Sequence, residues 1–235
     1  RLIAAGADIL DIGAESTRPG AEPVGEDEEI ARAVPLIAAI RAESDVAISI
    51  DTMKPRVARA AAAAGASIWN DVAALRFSPD APQVAAELGC EVVLMHMQGE
   101  PRTMQADPQY GDVVAEVRAF LAERAQAAMA AGVAREKIWL DPGIGFGKRL
   151  EHNLALLAHL EEIAGLGFPV LLGVSRKRFV AALDPAAGQA PDARLAGSLA
   201  AALAGVQAGA GALRVHDVAE TVQALKVWDA IAAAR

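Results

Sequence analysis

Residues 47–71, AISIDTMKPRVARAAAAAGASIWND, hold one repeat of the pattern that decides the fold. A short β-rich run, AISID from Ala47, ends in a carboxylate, Asp51. A stretch long enough for a helix follows, and a second run, SIWND from Ser67, ends in an amide and a carboxylate, Asn70 and Asp71. Parallel strands must be rejoined by crossovers, so strand, helix-length spacer and strand read as a parallel β/α unit.

The same unit recurs along the chain. Further runs are ILDIG from Ile9, VVLMH from Val92, IWLD from Ile138, VLLGVS from Val170 and LRVH from Leu213. Polar residues stand in or at the end of each of the seven: Asp11, Asp51, Asn70, His96, Asp141, Ser175 and His216. In a closed β/α barrel the C-terminal ends of all strands face one mouth, where active sites are built. The expected fold is therefore α/β, a (β/α)8 TIM barrel with about seven β/α units in this chain. The count is one short, and Arg1 to Ala5 looks like the end of a helix broken by Gly6. The expectation is a single barrel domain over 1–235 that lacks its first strand and loop, in preference to an open sheet.

Composition sets bounds on function. The chain has 235 residues, 54% hydrophobic and 4% aromatic, with a mean hydropathy of +0.27. Alanine supplies much of the apolar content, as helices shielding a barrel would require. The net charge of −8, from 22 basic and 30 acidic side chains, argues against nucleic-acid binding through a broad basic surface. The one cysteine, Cys90, cannot form an internal disulfide, and the stretch RLIAAGADIL lacks the basic region, long apolar core and cleavage site expected of a signal peptide. A cytoplasmic location and no membrane partner are expected. The uncharged stretch Leu195–Leu213 is dominated by Ala and Gly and broken by Gly205, Gly209 and Gly211, which fits a small-residue barrel helix, a turn and a strand better than a membrane span.

Several loops carry groups suited to chemistry. Residues 11–20, DIGAESTRPG, form a shaped loop in which Thr17 and Arg18 could present a hydroxyl and a planar guanidinium to an anion, or Arg18 could sit in a surface ion pair. Asp51 and Asn70 end runs that would otherwise be fully buried, so each needs either a ligand rich in N–H groups or a role capping the next helix. In DPGIGFGK, Asp141 to Lys148, the glycine spacing fits neither a dinucleotide fingerprint nor a P-loop. It reads as a mouth loop whose Phe146 and Lys148 can lean over a bound ring. Ser175-Arg-Lys-Arg178 places three cations at a strand end that aims at the mouth. Strand alternation puts Arg214 and His216 on one side, where with Lys177 they would suit a phosphate or pyrophosphate. Singly, they also fit an arginine paired with a barrel carboxylate and a hydrogen-bonded core histidine. His96 has no second His or Cys at ligand spacing and reads as wall and loop.

In this order DIGAESTRPG, SIDT, NDV, MHMQGEPRTMQ, DPGIGFGK, GVSRKRF and RVHDV resemble the dihydropteroate synthases, over essentially the whole chain. The resemblance implies a (β/α)8 barrel that condenses 6-hydroxymethyl-7,8-dihydropterin diphosphate with p-aminobenzoate, releasing pyrophosphate with the help of Mg2+. It implies pterin contacts at Asp51, Asn70, Asp141 and Lys177. Diphosphate contacts fall at Thr17, Arg214 and His216, and p-aminobenzoate contacts at Arg18, Pro19, Phe146, Ser175 and Lys177. Asp51, Lys177, Arg214 and His216 would carry the catalytic work. A homodimer is usual in the family. The metal ligand the family draws from its first loop, an Asn, would lie in the absent segment, so no metal ligand is expected in this chain. Two rivals remain at this level: a pterin-binding methyltransferase barrel, which needs no diphosphate pocket, and a non-catalytic pterin-binding paralogue.

Overall fold

A computed structural model describes residues 1–16, 22–100, 102–187 and 190–234 of the chain. Seven parallel strands follow one another in chain order. The first five are β1 (Ile9–Gly13), β2 (Ala47–Asp51), β3 (Ile68–Asp71), β4 (Glu91–Met95) and β5 (Ile138–Asp141), and they form one sheet in the order β1-β2-β3-β4-β5. β6 (Leu171–Leu172) and β7 (Ala212–Leu213) form a second, two-stranded ladder. A single parallel bridge, Leu140 to Val170, joins the two ladders.

Helices alternate with the strands as the spacing predicts: α1 (Glu26–Glu43), α2 (Pro55–Ala63), α3 (Ala81–Leu88), α4 (Val113–Ala130), α5 (Leu150–Ala158), α6 (Leu160–Ala164), α7 (Arg178–Leu183), α8 (Leu195–Gln207) and α9 (Val218–Ala233). Local chemistry sets their ends. Pro55 opens α2, where its missing N–H costs nothing. Asp112 caps α4 by accepting from the N–H groups of Val114 and Ala115, both at 3.0 Å. At the start of the chain a short 3₁₀ turn, Ile3–Ala5, stops at Gly6 in the left-handed conformation, as the sequence predicts.

The strand interiors and the inner helix faces make one core that includes Ile37, Ile48, Ile50, Trp69, Leu94, Leu121, Ile138, Leu140, Leu156 and Leu172. Trp69 is fully buried and ties β3 to β2 by donating from Nε1 to the Thr52 carbonyl at 2.8 Å. The Leu195–Leu213 stretch forms α8, a turn and β7, and no helix among the described residues is long and apolar enough to cross a membrane. Its small residues allow close approach. A Cβ on Gly205 would lie 2.1 Å from Leu172 Cδ2, and one on Gly197 would lie 2.4 Å from Val180 Cγ1.

The last two strands are shorter than their sequence runs. After Leu172 the chain turns at residues 173–177, and Arg214 and His216 lie beyond the β7 ladder. Strand alternation therefore does not place them. Among the described residues β7 hydrogen-bonds to β6 and to no strand on its other side, so the ladder stops after two residues.

Candidate active site

Strand register brings the first polar set together. Asp51 pairs with Asn70 in the β2/β3 ladder, and Met95 pairs with Asp141 in the β4/β5 ladder. Neither Asp51 nor Asn70 caps a helix: α2 begins after Lys54 and α3 after Asp80, each with no side-chain cap. Asn70 Nδ2 lies 3.5 Å from both carboxylate oxygens of Asp11, the inward polar residue of β1. The neighbouring Asp71 is the structural member of the NDV motif. It is fully buried and accepts the N–H groups of Ala73 and Leu75, both at 2.7 Å, shaping the turn that follows β3.

Arg214 reaches into this set from the far end of the chain. Its Nε donates to Asp11 Oδ2 at 2.5 Å and its Nη2 to Asp51 Oδ2 at 3.2 Å. The sequence left open whether this arginine serves a ligand or pairs with a barrel carboxylate. It pairs with two, both belonging to the site. Burial alone would lower the guanidinium pKa, but Asp11 and Asp51 outweigh that effect and raise it. The second oxygen of Asp51, Oδ1, is buried and accepts from no group among the described residues. Burial, reinforced by the charge of Asp11 and opposed by Arg214, lifts the Asp51 carboxyl from its ordinary 3.8 to about 7.

Asp141 is likewise buried, with Oδ1 accepting from the Gly143 N–H at 2.7 Å. Desolvation raises its pKa, opposed chiefly by Lys177. Lys177 donates to the Ile144 carbonyl and places its ammonium 4.9 Å from the centre of the Phe146 ring. Burial lowers its pKa to about 8, against the pull of Asp141. A second apolar cluster of Val72, Met95, Met97 and Met104, with Met53 and Phe146 packed on it, lies beside these polar groups. Such a wall suits a flat ring, since methionine side chains adapt to the surface they cover.

Ser175 and His216 meet at the same end of the molecule. Ser175 Oγ accepts from the His216 N–H at 3.2 Å and lies 3.0 Å from His216 Nδ1. Two other expectations need correction. Of the three cations in SRKR only Lys177 turns toward the site: Arg176, at a positive φ of 58°, forms an ion pair with Asp217, and Arg178 is exposed. Lys148 does not lean over the mouth either. It is buried beneath the glycine loop, donating to the Gly143 and Phe146 carbonyls, both at 3.0 Å, with His96 Nδ1 2.9 Å away. Thr17, Arg18 and Pro19 lie outside the described residues.

The sequence places Asp11 among the polar residues at the mouth but gives it no role, and it does not mark the methionines as ring contacts. The signal for Asp11 was present, a carboxylate inside the apolar run ILDIG, whereas nothing in local sequence marks Met53 or Met95 as ring contacts. A further buried ionic cluster was also missed. Lys54 Nζ donates to Glu15 at 2.9 Å, to Glu29 at 2.7 Å and to the Val24 carbonyl at 2.6 Å. Among the described residues no group of three or more His, Cys, Asp or Glu side chains could hold a metal ion. Asp11 and Asp51 share the Arg214 guanidinium, as Glu15 and Glu29 share the Lys54 ammonium.

Buried acceptors, one amide, an adaptable apolar wall and a flanking arginine define a site for a flat, nitrogen-rich ring carrying an anionic group. The chain belongs to the pterin binding enzyme family, whose profile it matches over residues 1–216. Within that family it is similar to the dihydropteroate synthase of Escherichia coli K12, 48% identical over 234 residues that cover 100% of this chain and 82% of the relative. Two solved structures share its backbone. The Xanthomonas albilineans dihydropteroate synthase with 4-aminobenzoic acid is 51% identical, with a TM-score of 0.93 over 99% of this chain and 82% of its own. The Burkholderia cenocepacia dihydropteroate synthase complexed with 7,8-dihydropteroate is 52% identical, with a TM-score of 0.92 over 100% of this chain and 85% of its own.

Proposed function

We propose that this chain is a transferase of folate biosynthesis that condenses 6-hydroxymethyl-7,8-dihydropterin diphosphate with p-aminobenzoate, giving 7,8-dihydropteroate and pyrophosphate. The observation that carries the site assignment is the buried Oδ1 of Asp51 beside Asn70, which has no donor among the described residues, with Arg214 held against the same carboxylate. A buried acceptor without a donor is costly, and the N–H-rich edge of a pterin supplies the missing donor.

In this reading Asp51, Asn70 and Asp141 bind the pterin edge, with the methionine cluster against its face. Lys177 lies between the pterin and p-aminobenzoate, whose ring meets Phe146. Ser175 is placed to contact its carboxylate or to orient His216. The diphosphate lies toward Arg214 and His216; the family resemblance assigns Thr17 to the diphosphate and Arg18 and Pro19 to p-aminobenzoate.

The reaction breaks the pterin CH2–O bond, sending its electron pair to pyrophosphate, and forms a CH2–N bond to the aniline nitrogen, which then loses a proton. Arg214 and His216 stabilise charge growing on the leaving group. The carboxylates Asp51 and Asp11 favour positive charge on the pterin as the bond to oxygen lengthens. Aniline nitrogen is largely unprotonated at neutral pH, so positioning, rather than a general base, is the main demand on the protein.

Mg2+ belongs to the proposal as a partner of the diphosphate. The described residues do not form a metal-holding set, and no step above depends on one. A homodimer and a cytoplasmic location are also proposed. The exposed apolar side chains Val227 and Ile231 on α9 support the former, and the single cysteine is compatible with the latter. Incubating the chain with dihydropterin diphosphate, Mg2+ and radiolabelled p-aminobenzoate tests the activity. Label should appear in dihydropteroate with equimolar pyrophosphate, and absence of labelled product counts against the reading.

A further inference from the structure

Five consecutive carbonyl groups, Gly143 to Gly147, each accept a hydrogen bond from a side chain. Lys148 Nζ donates to Gly143 and Phe146, Lys177 to Ile144, Gln105 to Gly145 at 2.6 Å, and the Tyr110 hydroxyl to Gly147 at 2.7 Å. The loop is also pressed onto the chain that leaves β4. A Cβ on Gly143 would lie 1.9 Å from the His96 carbonyl oxygen, and one on Gly147 would lie 2.4 Å from that of Gln98. Both glycines have positive φ, 67° and 59°. A glycine-rich loop loses much backbone entropy on ordering, and here each carbonyl is fixed individually.

Lys148 is the centre of this arrangement. Besides the two loop carbonyls, its amine lies 2.9 Å from His96 Nδ1 and 3.3 Å from the His96 carbonyl. Burial, reinforced by Lys148, pushes the His96 pKa down to about 2, so the imidazole is neutral and Nδ1 is free to accept. The loop's other moorings do not need Lys148: Asp141 holds the Gly143 N–H, and Asn153 Oδ1 holds the Gly145 N–H at 2.6 Å. What Lys148 controls is the orientation of the peptide groups around Ile144 and Phe146. Those two residues supply the carbonyl and the ring against which Lys177 rests.

We infer that Lys148, acting from beneath the loop and without touching substrate, is the positioning residue of the p-aminobenzoate subsite. It sets the Phe146 ring and the Ile144 carbonyl so that Lys177 and the ring face the incoming aniline. The inference rests on the proposed function and deepens it. It weighs more on p-aminobenzoate than on the pterin, because Asp51, Asn70 and Asp141 keep their places when Lys148 changes and the pterin loses only part of its contact with Lys177.

The test is a steady-state comparison of Lys148→Met and Lys148→Gln with the unaltered chain, varying each substrate in turn. Lys148→Met should raise KM for p-aminobenzoate about tenfold or more and KM for dihydropterin diphosphate, through Lys177, by no more than about threefold. Lys148→Gln, which retains an amide donor, should recover part of the loss. Equal rises in both KM values, or no rise for p-aminobenzoate, would overturn the inference. Should Lys148→Met fail to fold, Lys148→Gln carries the test, with a rise of about threefold in KM for p-aminobenzoate exceeding that for dihydropterin diphosphate; no rise there would also overturn it. If the unaltered chain makes no labelled dihydropteroate, the functional reading itself fails and this inference falls with it.

Discussion

Arg214 and Asp11 stand 203 positions apart in the chain and are joined side chain to side chain at 2.5 Å. The pair links the first and last strands across a side of the molecule where the described strands exchange no backbone hydrogen bonds. In the proposed reading it also holds the guanidinium toward the diphosphate.

Asp11→Asn should leave Arg214 with Asp51 as its remaining carboxylate. Arg214 is 42% exposed, so water screens part of the loss. A decrease in kcat/KM for dihydropterin diphosphate of about 1–2 kcal/mol, five- to thirtyfold, is expected with little change in Tm. Unchanged kinetics would remove Asp11 from the site.

Asp141→Asn should weaken pterin binding by about 2–4 kcal/mol if two buried N–H bonds are made to it. Titration calorimetry with a pterin analogue reads this directly, and a loss below about 0.5 kcal/mol would place Asp141 outside the pterin edge.

Asp51 links function to pH. Its carboxyl titrates near 7 in the folded chain against an ordinary 3.8, so the fold favours the protonated form. The stabilisation that proton provides is full below about pH 3.8 and is lost as pH rises through about 7. Asp51→Asn removes the buried charge, so its Tm relative to the unaltered chain should be more favourable at pH 8 than at pH 5.5, while pterin binding is lost. In the unaltered chain pterin affinity should fall as pH drops below about 7, because the ionised carboxylate is the better acceptor. A flat affinity profile from pH 5.5 to 8 would contradict the assignment.

Lys54→Met should cost about 3–5 kcal/mol of stability, since it leaves the buried carboxylates of Glu29 and Glu15 without their cation. Urea denaturation measures it. A loss under about 1 kcal/mol would mean that both carboxylates regain water at little cost.

Gly143→Ala should fail to accumulate as folded protein. The methyl would overlap the His96 carbonyl at 1.9 Å, in a backbone conformation that side chains other than glycine's disfavour. Circular dichroism of the purified variant decides this, and a native-like melt would show that the loop can lift away from β4.

The repeating unit was legible because its cause is local. A run such as AISID is buried on both faces only in a parallel sheet covered by helices, and the spacer before SIWND is too long for a hairpin and right for a crossover. Strand direction then fixes which end of each run shares the mouth, which is why Asp51, Asn70, Asp141 and Ser175 could be gathered from sequence.

Beyond the strand ends that reasoning stops, because loop side chains point where packing sends them. Lys148 and Lys177 are both lysines in or near glycine-rich turns, yet one is buried under His96 and the other faces Asp141 and Phe146. Arg176 and Lys177 are adjacent, but the positive φ of Arg176 sends it to Asp217 instead of into the site. The sequence by itself determined the parallel β/α order and the chemistry present at the mouth, through periodicity and the fixed polarity of a strand. Only the tertiary structure decided which acid Arg214 meets, that Asp51 keeps an oxygen with no donor among the described residues, and that Lys54 lies buried between two glutamates. Those outcomes depend on desolvation and contact between residues 25 to 203 positions apart.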